Sequence, residues 1–207
     1  MSRIARIMAA AIALVALIGF AVQFHASLVR LGSATETTWV VLRYFTIIAN
    51  LLVAAVFTGI AAGRASFAAP SLLGGVTLAI LLVGVVYGLL LDGLLELSAG
   101  DNFADLLLHK VTPVLVPLWW VTYAPKGLLN GHDPWRWTIL PVIYLAYALA
   151  RGALEGVYAY PFMDVPKIGW LRTEANALLL GVGFLAAAYA FVWLDKLIGR
   201  RAEPATP

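Results

Sequence analysis

The sequence predicts an all-α, polytopic membrane protein: a bundle of six transmembrane helices with a polar cavity in its outer half. Three observations carry this. The 207 residues are 62% hydrophobic and only 12% charged, against roughly half and a quarter in soluble domains. Residues free of Asp, Glu, Lys and Arg are concentrated in the stretches 7–29, 44–63, 65–91, 111–125, 137–150 and 175–194, and a helix needs about 20 mainly apolar residues to cross the hydrocarbon core. The few polar residues within these stretches gather toward one end. A chain occupied in this way has no room for a second soluble domain, a nucleic-acid-binding arm or a large catalytic module outside the bilayer.

The elements follow in order. Ser2-Arg3-Ile4-Ala5-Arg6 ahead of an apolar run resembles a signal peptide, but Ile7–Val29 is too long for a signal core. The run is read as span one, about 6–29, ending outward with Gln23 and His25. Span two, about 38–62, runs inward from Trp39 and carries Arg43, Thr46 and Asn50 at i, i+3 and i+7, one stripe of a helix. Span three, about 71–95, places Asp92 and Glu96 near its outer end. Span four, about 103–124, reaches full length by borrowing Phe103–Lys110 and carries Asp105, His109, Lys110 and Thr112. Pro113 cannot donate to the carbonyl of His109, so a bend is expected there, and Pro117 repeats the defect. Span five, about 136–155, ends on Arg151 and Glu155; span six, about 174–196, begins with Glu174 and Asn176. The segment 151–172 is an outer loop, and 197–207 a cytoplasmic tail. Gly74, Gly84, Gly88, Gly181 and Gly183 read as close-packing positions.

Loop charge sets the orientation. With six spans, the side holding both termini carries Arg3, Arg6, Arg64, Lys126, Arg136, Lys196, Arg200 and Arg201, while the other side carries Arg30, Arg151, Lys167 and Arg172. The positive-inside rule then makes both termini cytoplasmic in a multi-pass cell-membrane protein. The net charge of +3 sits at helix ends, where membrane lipid rather than nucleic acid is the partner. With no cysteine and no H-x-x-x-H or H-E-x-x-H, neither a disulfide, a metal site nor a cofactor is expected.

Nearly every polar side chain at membrane depth falls in the outer half, and ionisable groups inside a bilayer face cavities. Of three histidines, His132 sits in the turn Asn130–Pro134 and reads as inert, and His25 lies near the end of its span. His109 lies roughly 9 Å below the start of span four, and Thr46 roughly 12 Å below the start of span two. The two share one level. A histidine beside a proline defect suits a general base, although cross-helix packing accounts equally well for it. A membrane threonine ordinarily bonds its own i−4 carbonyl and needs a partner base to act as a nucleophile. No G-x-S-x-G elbow is present.

Three motifs, Arg43-Tyr44-Phe45-Thr46-Ile47-Ile48-Ala49-Asn50, His109 with Pro113 downstream, and Tyr160-Pro161-Phe162-Met163-Asp164-Val165, resemble the androgen-induced and androgen-dependent integral membrane hydrolase family and its six-span bacterial relatives. The resemblance implies a threonine hydrolase of fatty acid esters of hydroxy fatty acids, with Thr46 as nucleophile and His109 as base. An acyl lipid is the expected substrate. A carboxylate should orient the imidazole, either Asp105 or, slightly favoured, Asp92; Asn50 or Arg43 would donate to the oxyanion. His25, Glu155 and Tyr160 complete the supporting or substrate-binding candidates. A lipid-binding or sensory membrane protein of the same fold without catalysis is the alternative.

Overall fold

A backbone in hydrocarbon must satisfy its own N–H and C=O groups, and a helix does so within a single segment. The computed structural model, which describes residues 1–93 and 99–202, is accordingly helical, with no strand among the described residues. Glu96 lies outside them. In order come α1 (Arg3–Leu31), α2 (Ala34–Val41), α3 (Phe45–Ala61), α4 (Pro70–Val86), α5 (Ala99–Asp105), α6 (Thr112–Tyr123), α7 (Asp133–Glu155), α8 (Val165–Ile168) and α9 (Trp170–Ala202). Short 3₁₀ turns occupy Ala65–Ala68 and Pro161–Met163. Two π-turns stand out: Tyr87–Leu91 prolongs α4, and Leu106–Val111 joins α5 to α6.

Among the described residues, α1, α4 with its π-turn, α7 and α9 are each long and apolar enough to cross a membrane. The pair α2 and α3 makes a fifth if counted as one span, but the two helices are bent by 96°. This corrects the continuous stripe expected of Arg43, Thr46 and Asn50. At the end of α2, Arg43 and Tyr44 donate to Val40 and Val41, a tightening to i−3 bonds, and Tyr44 then turns extended at φ −99°, ψ 131°. Arg43 therefore sits in the bend, while Thr46 begins a new helix.

The proline expectation is also refined. Pro113 stands in the first turn of α6, where a missing N–H costs least, and the irregularity is taken up by the π-turn just before it. Pro117 remains inside α6.

The chain forms two compact units, Met1–Pro125 and the part from Lys126 onward. In the first, α1 packs along α3 and on α5 and α6, and α4 packs on α3 and α6. The buried face of α1 is Ala5, Ala9, Ile12, Ala13, Ala16 and Gly19, small residues three and four apart that let backbones approach. A Cβ on Gly19 would stand 2.7 Å from Leu108 Cδ2, so α1 presses on the π-turn that bears His109. Val41, Ile47, Ala104 and Leu108 form a buried apolar cluster there, with Phe20, Phe24, Leu42 and Leu51 packed against it. Nearby, Arg30 pairs with the buried Asp101 carboxylate, fastening α1 to α5.

Gly84 has the same close role on α4: a Cβ there would come within 2.7 Å of Pro113 Cβ. Gly88, Gly181 and Gly183 do not, since an added Cβ would meet nothing within 4 Å. Gly84→Val is therefore expected to destabilise by about 1–3 kcal/mol through overpacking, and Gly88→Ala to change stability little. Thermal unfolding of the detergent-purified variants checks both, and an unchanged midpoint for Gly84→Val would contradict the packing described.

In the second unit, α7 packs on α9. The turn before α7 is held by Asp195 Oδ2, which accepts from Leu129 N at 2.9 Å, and by Asp133 Oδ2, which accepts from Asn130 N at 2.8 Å. The loop after α7 lies on α9, where Asn176 Nδ2 donates to Phe162 O at 2.8 Å.

Candidate active site

The bend between α2 and α3 decides what Thr46 can do. Thr38, Thr77, Thr122, Thr138 and Thr173 each donate their hydroxyl to their own i−4 carbonyl. Thr46 is the second residue of α3, so its i−4 carbonyl lies on the far side of the bend. Its Oγ1 instead stands 3.1 Å from His109 Nε2. Thr46 is only 6% exposed. Its position in the first turn also places it at the positive end of the α3 dipole.

His109 lies within the π-turn. Its Nδ1 is 3.0 Å from Asp105 Oδ1, a close contact that lies off the line a full-strength hydrogen bond takes. With the ring proton on Nδ1, facing Asp105, Nε2 is left to accept from the Thr46 hydroxyl. Thr46, His109 and Asp105 thus form one chain of polar contacts.

Asp92 is placed otherwise, which corrects the slight preference for it as the orienting carboxylate. Its Oδ1 lies 2.8 Å from Tyr87 Oη and 3.5 Å from Lys110 Nζ. Asp105 wins because it is one turn before His109 on the same segment, whereas Asp92 follows the π-turn of α4 and folds back on Tyr87.

Asn50 is 1% exposed and fully engaged. Its two amide protons go to Thr46 O at 2.9 Å and Leu108 O at 3.1 Å, and its Oδ1 accepts from Thr112 Oγ1 at 2.7 Å. It has no proton left for an oxyanion. It ties α3 to both ends of the segment around His109. Asn50→Leu, similar in volume, removes all three bonds and leaves the Thr112 hydroxyl its own i−4 carbonyl, Leu108 O at 3.2 Å, and is expected to destabilise by about 1 kcal/mol. A thermal midpoint equal to wild type would refute the clamp.

Of the remaining candidates, His25 is exposed on α1. Glu155 and Tyr160 belong to the second unit. There Glu155 accepts from Arg151 Nε at 2.5 Å, Arg151 also donates to Tyr147 Oη at 2.7 Å, and the Tyr160 ring stacks on Phe162 at 5.1 Å. Sequence reasoning missed two residues of the cluster as site members. Thr112 is the partner of Asn50; Tyr87 bonds Asp105 Oδ2 at 2.6 Å and stacks on His109. No sequence signal marked Tyr87, which in a regular helix lies about 140° around the axis from Asp92.

Among the described residues, no three of His, Cys, Asp and Glu converge as a metal site. An open groove of about 680 Å³ runs along α2, lined by Ser33, Thr35, Glu36, Thr38, Trp39 and Leu42, the last four residues before Thr46. No protein-family model, curated protein or solved structure matches the chain.

Proposed function

We propose that this protein is a six-span intramembrane hydrolase that cleaves an ester of a fatty-acyl lipid, such as a fatty acid ester of a hydroxy fatty acid. One observation carries the reading: the Thr46 hydroxyl at 3.1 Å from His109 Nε2, with Asp105 at 3.0 Å on the other ring nitrogen. The family resemblance of the motifs around Thr46 and His109 points the same way. The sixth span in this reading is the segment Ala99–Tyr123, whose α-helices are separated by the π-turn. The polar cluster at the ends of α3, α4 and α5 would face an outer-half cavity, with both termini cytoplasmic.

In the mechanism, Thr46 Oγ1 attacks the acyl carbonyl while His109 Nε2 takes its proton. The carbonyl oxygen becomes an oxyanion, for which we assign the Thr46 backbone N–H at the start of α3. Collapse breaks the C–O bond, His109 returns the proton to the leaving alcohol, and an acyl-threonine remains. Water, deprotonated by His109, then attacks that ester; the fatty acid leaves and Thr46 recovers its proton. Asp105 holds the imidazole tautomer and balances the imidazolium throughout.

The burial of Thr46 favours a second reading, a lipid-binding protein that never turns its ligand over. Incubating the nanodisc-reconstituted protein with a panel of long-chain acyl esters, and searching by mass spectrometry for an acyl adduct on Thr46, separates the two. Hydrolysis with an adduct on the peptide containing Thr46 supports the hydrolase. Tight binding of an ester recovered intact would sink it.

A further inference from the structure

Tyr87 touches two members of the candidate triad at once. Its ring lies 4.3 Å from the His109 ring at an interplanar angle of 21°, a stacked contact. Its hydroxyl is 2.6 Å from Asp105 Oδ2, the oxygen that does not face His109. The residue is 8% exposed, so both contacts are made inside the protein. We propose that Tyr87 is the positioning residue of the site, holding the imidazole by its face and the orienting carboxylate by its free oxygen. This rests on the hydrolase reading.

The local backbone supports the assignment. Tyr87 opens one π-turn and His109 lies in the other, and single π-turns recur at functional sites because they re-aim side chains. In an α-helix, residues five apart stand about 140° from one another around the axis. The wider turn brings Asp92 back toward Tyr87: Asp92 N donates to Tyr87 O at 2.9 Å, and Asp92 Oδ1 lies 2.8 Å from the Tyr87 hydroxyl. Asp92 in turn faces Lys110 Nζ, which sits 5.4 Å from the centroid of the Tyr87 ring. The phenol is thus fixed at its oxygen and on its face. Its single proton is directed at the closer carboxylate, that of Asp105. A carboxylate pinned in this way cannot swing from the His109 ring, and an imidazole stacked on a fixed ring cannot rotate off Thr46.

The packing role and the catalytic role separate experimentally. Tyr87→Phe retains the ring and loses only the hydroxyl; Tyr87→Leu loses both. Tyr87→Phe is expected to lower kcat about tenfold or more, the worth of a hydrogen bond to a charged group, with KM unchanged because no contact to the ester is removed. A reading independent of turnover is the rate at which diethyl pyrocarbonate modifies His109, measured by mass spectrometry against the exposed His25 and His132 of the same molecule. His109 should stay protected in Tyr87→Phe and react severalfold faster in Tyr87→Leu. Wild-type kcat in Tyr87→Phe, or undiminished protection in Tyr87→Leu, would overturn the assignment. Absence of turnover by the wild type on any ester would instead sink the hydrolase reading, and the modification rates would still decide whether Tyr87 holds His109.

Discussion

Thr46→Val and His109→Ala are each expected to reduce ester turnover by roughly five to six orders of magnitude, to the background of the assay. Valine nearly matches threonine in shape, and among the described residues the Thr46 hydroxyl is engaged with His109 alone, so the variant should fold as the wild type does. In the proposed mechanism it loses the nucleophile itself, and His109→Ala removes the group that both takes and returns the proton. Because the two act as a unit, the double variant should be no slower than either single one, a non-additivity that distinguishes a shared mechanism from two unrelated defects. Thr46→Ser keeps the oxygen and should retain measurable turnover. Ester hydrolysis by purified protein, with substrate binding measured in parallel, checks the series. Turnover surviving in Thr46→Val would reassign the attack to a water activated by His109; full additivity would remove the case for the pair.

These expectations rest on geometry that the sequence only partly disclosed. The apolar stretches were legible because membrane helices leave a coarse signal, an absence of charge over about 20 residues. The pairing of Thr46 with His109 was legible because few polar residues occur in such stretches, and counting rise per residue put both at one level. The bend before Thr46 was not. No glycine or proline marks Leu42-Arg43-Tyr44, so span two read as one straight helix, and Arg43 and Asn50 seemed free to serve the same substrate atom. In fact the bend detaches Arg43 from the stripe and gives Thr46 its unusual place at a helix start. Asn50, on the intact helix, is spent on three partners. The π-turns were illegible for a related reason: each is a one-residue adjustment of the helical register, and Pro113 only hinted at the second. Tyr87 carried no signal because its hydroxyl finds its partner eighteen residues away, across a register that only tertiary structure defines.

The choice between the two carboxylates yields the other large prediction. Asp105→Asn should lower kcat by roughly 10³–10⁴, whereas Asp92→Asn should change it little. An asparagine at 105 keeps the volume but can present its amide N–H to His109 Nδ1, which then prefers to accept. The ring proton moves to Nε2, and the imidazole can no longer take the proton of Thr46. A wrong tautomer of this kind costs about 10⁴ in a serine triad. The loss should fall on kcat and spare KM, since neither carboxylate is placed to touch the ester. The Asp92 side chain meets the site at the Tyr87 hydroxyl and Lys110, and the amide of Asn can accept or donate there, so its substitution leaves Asp105 and His109 in place. Steady-state kinetics of the two variants, with the imidazole tautomer of His109 followed by ¹⁵N resonance, would settle the assignment. The reverse pattern, Asp92→Asn inactive and Asp105→Asn active, would move the orienting role to Asp92 and require a different arrangement of the imidazole during turnover than the one in which Asp105 lies 3.0 Å from Nδ1.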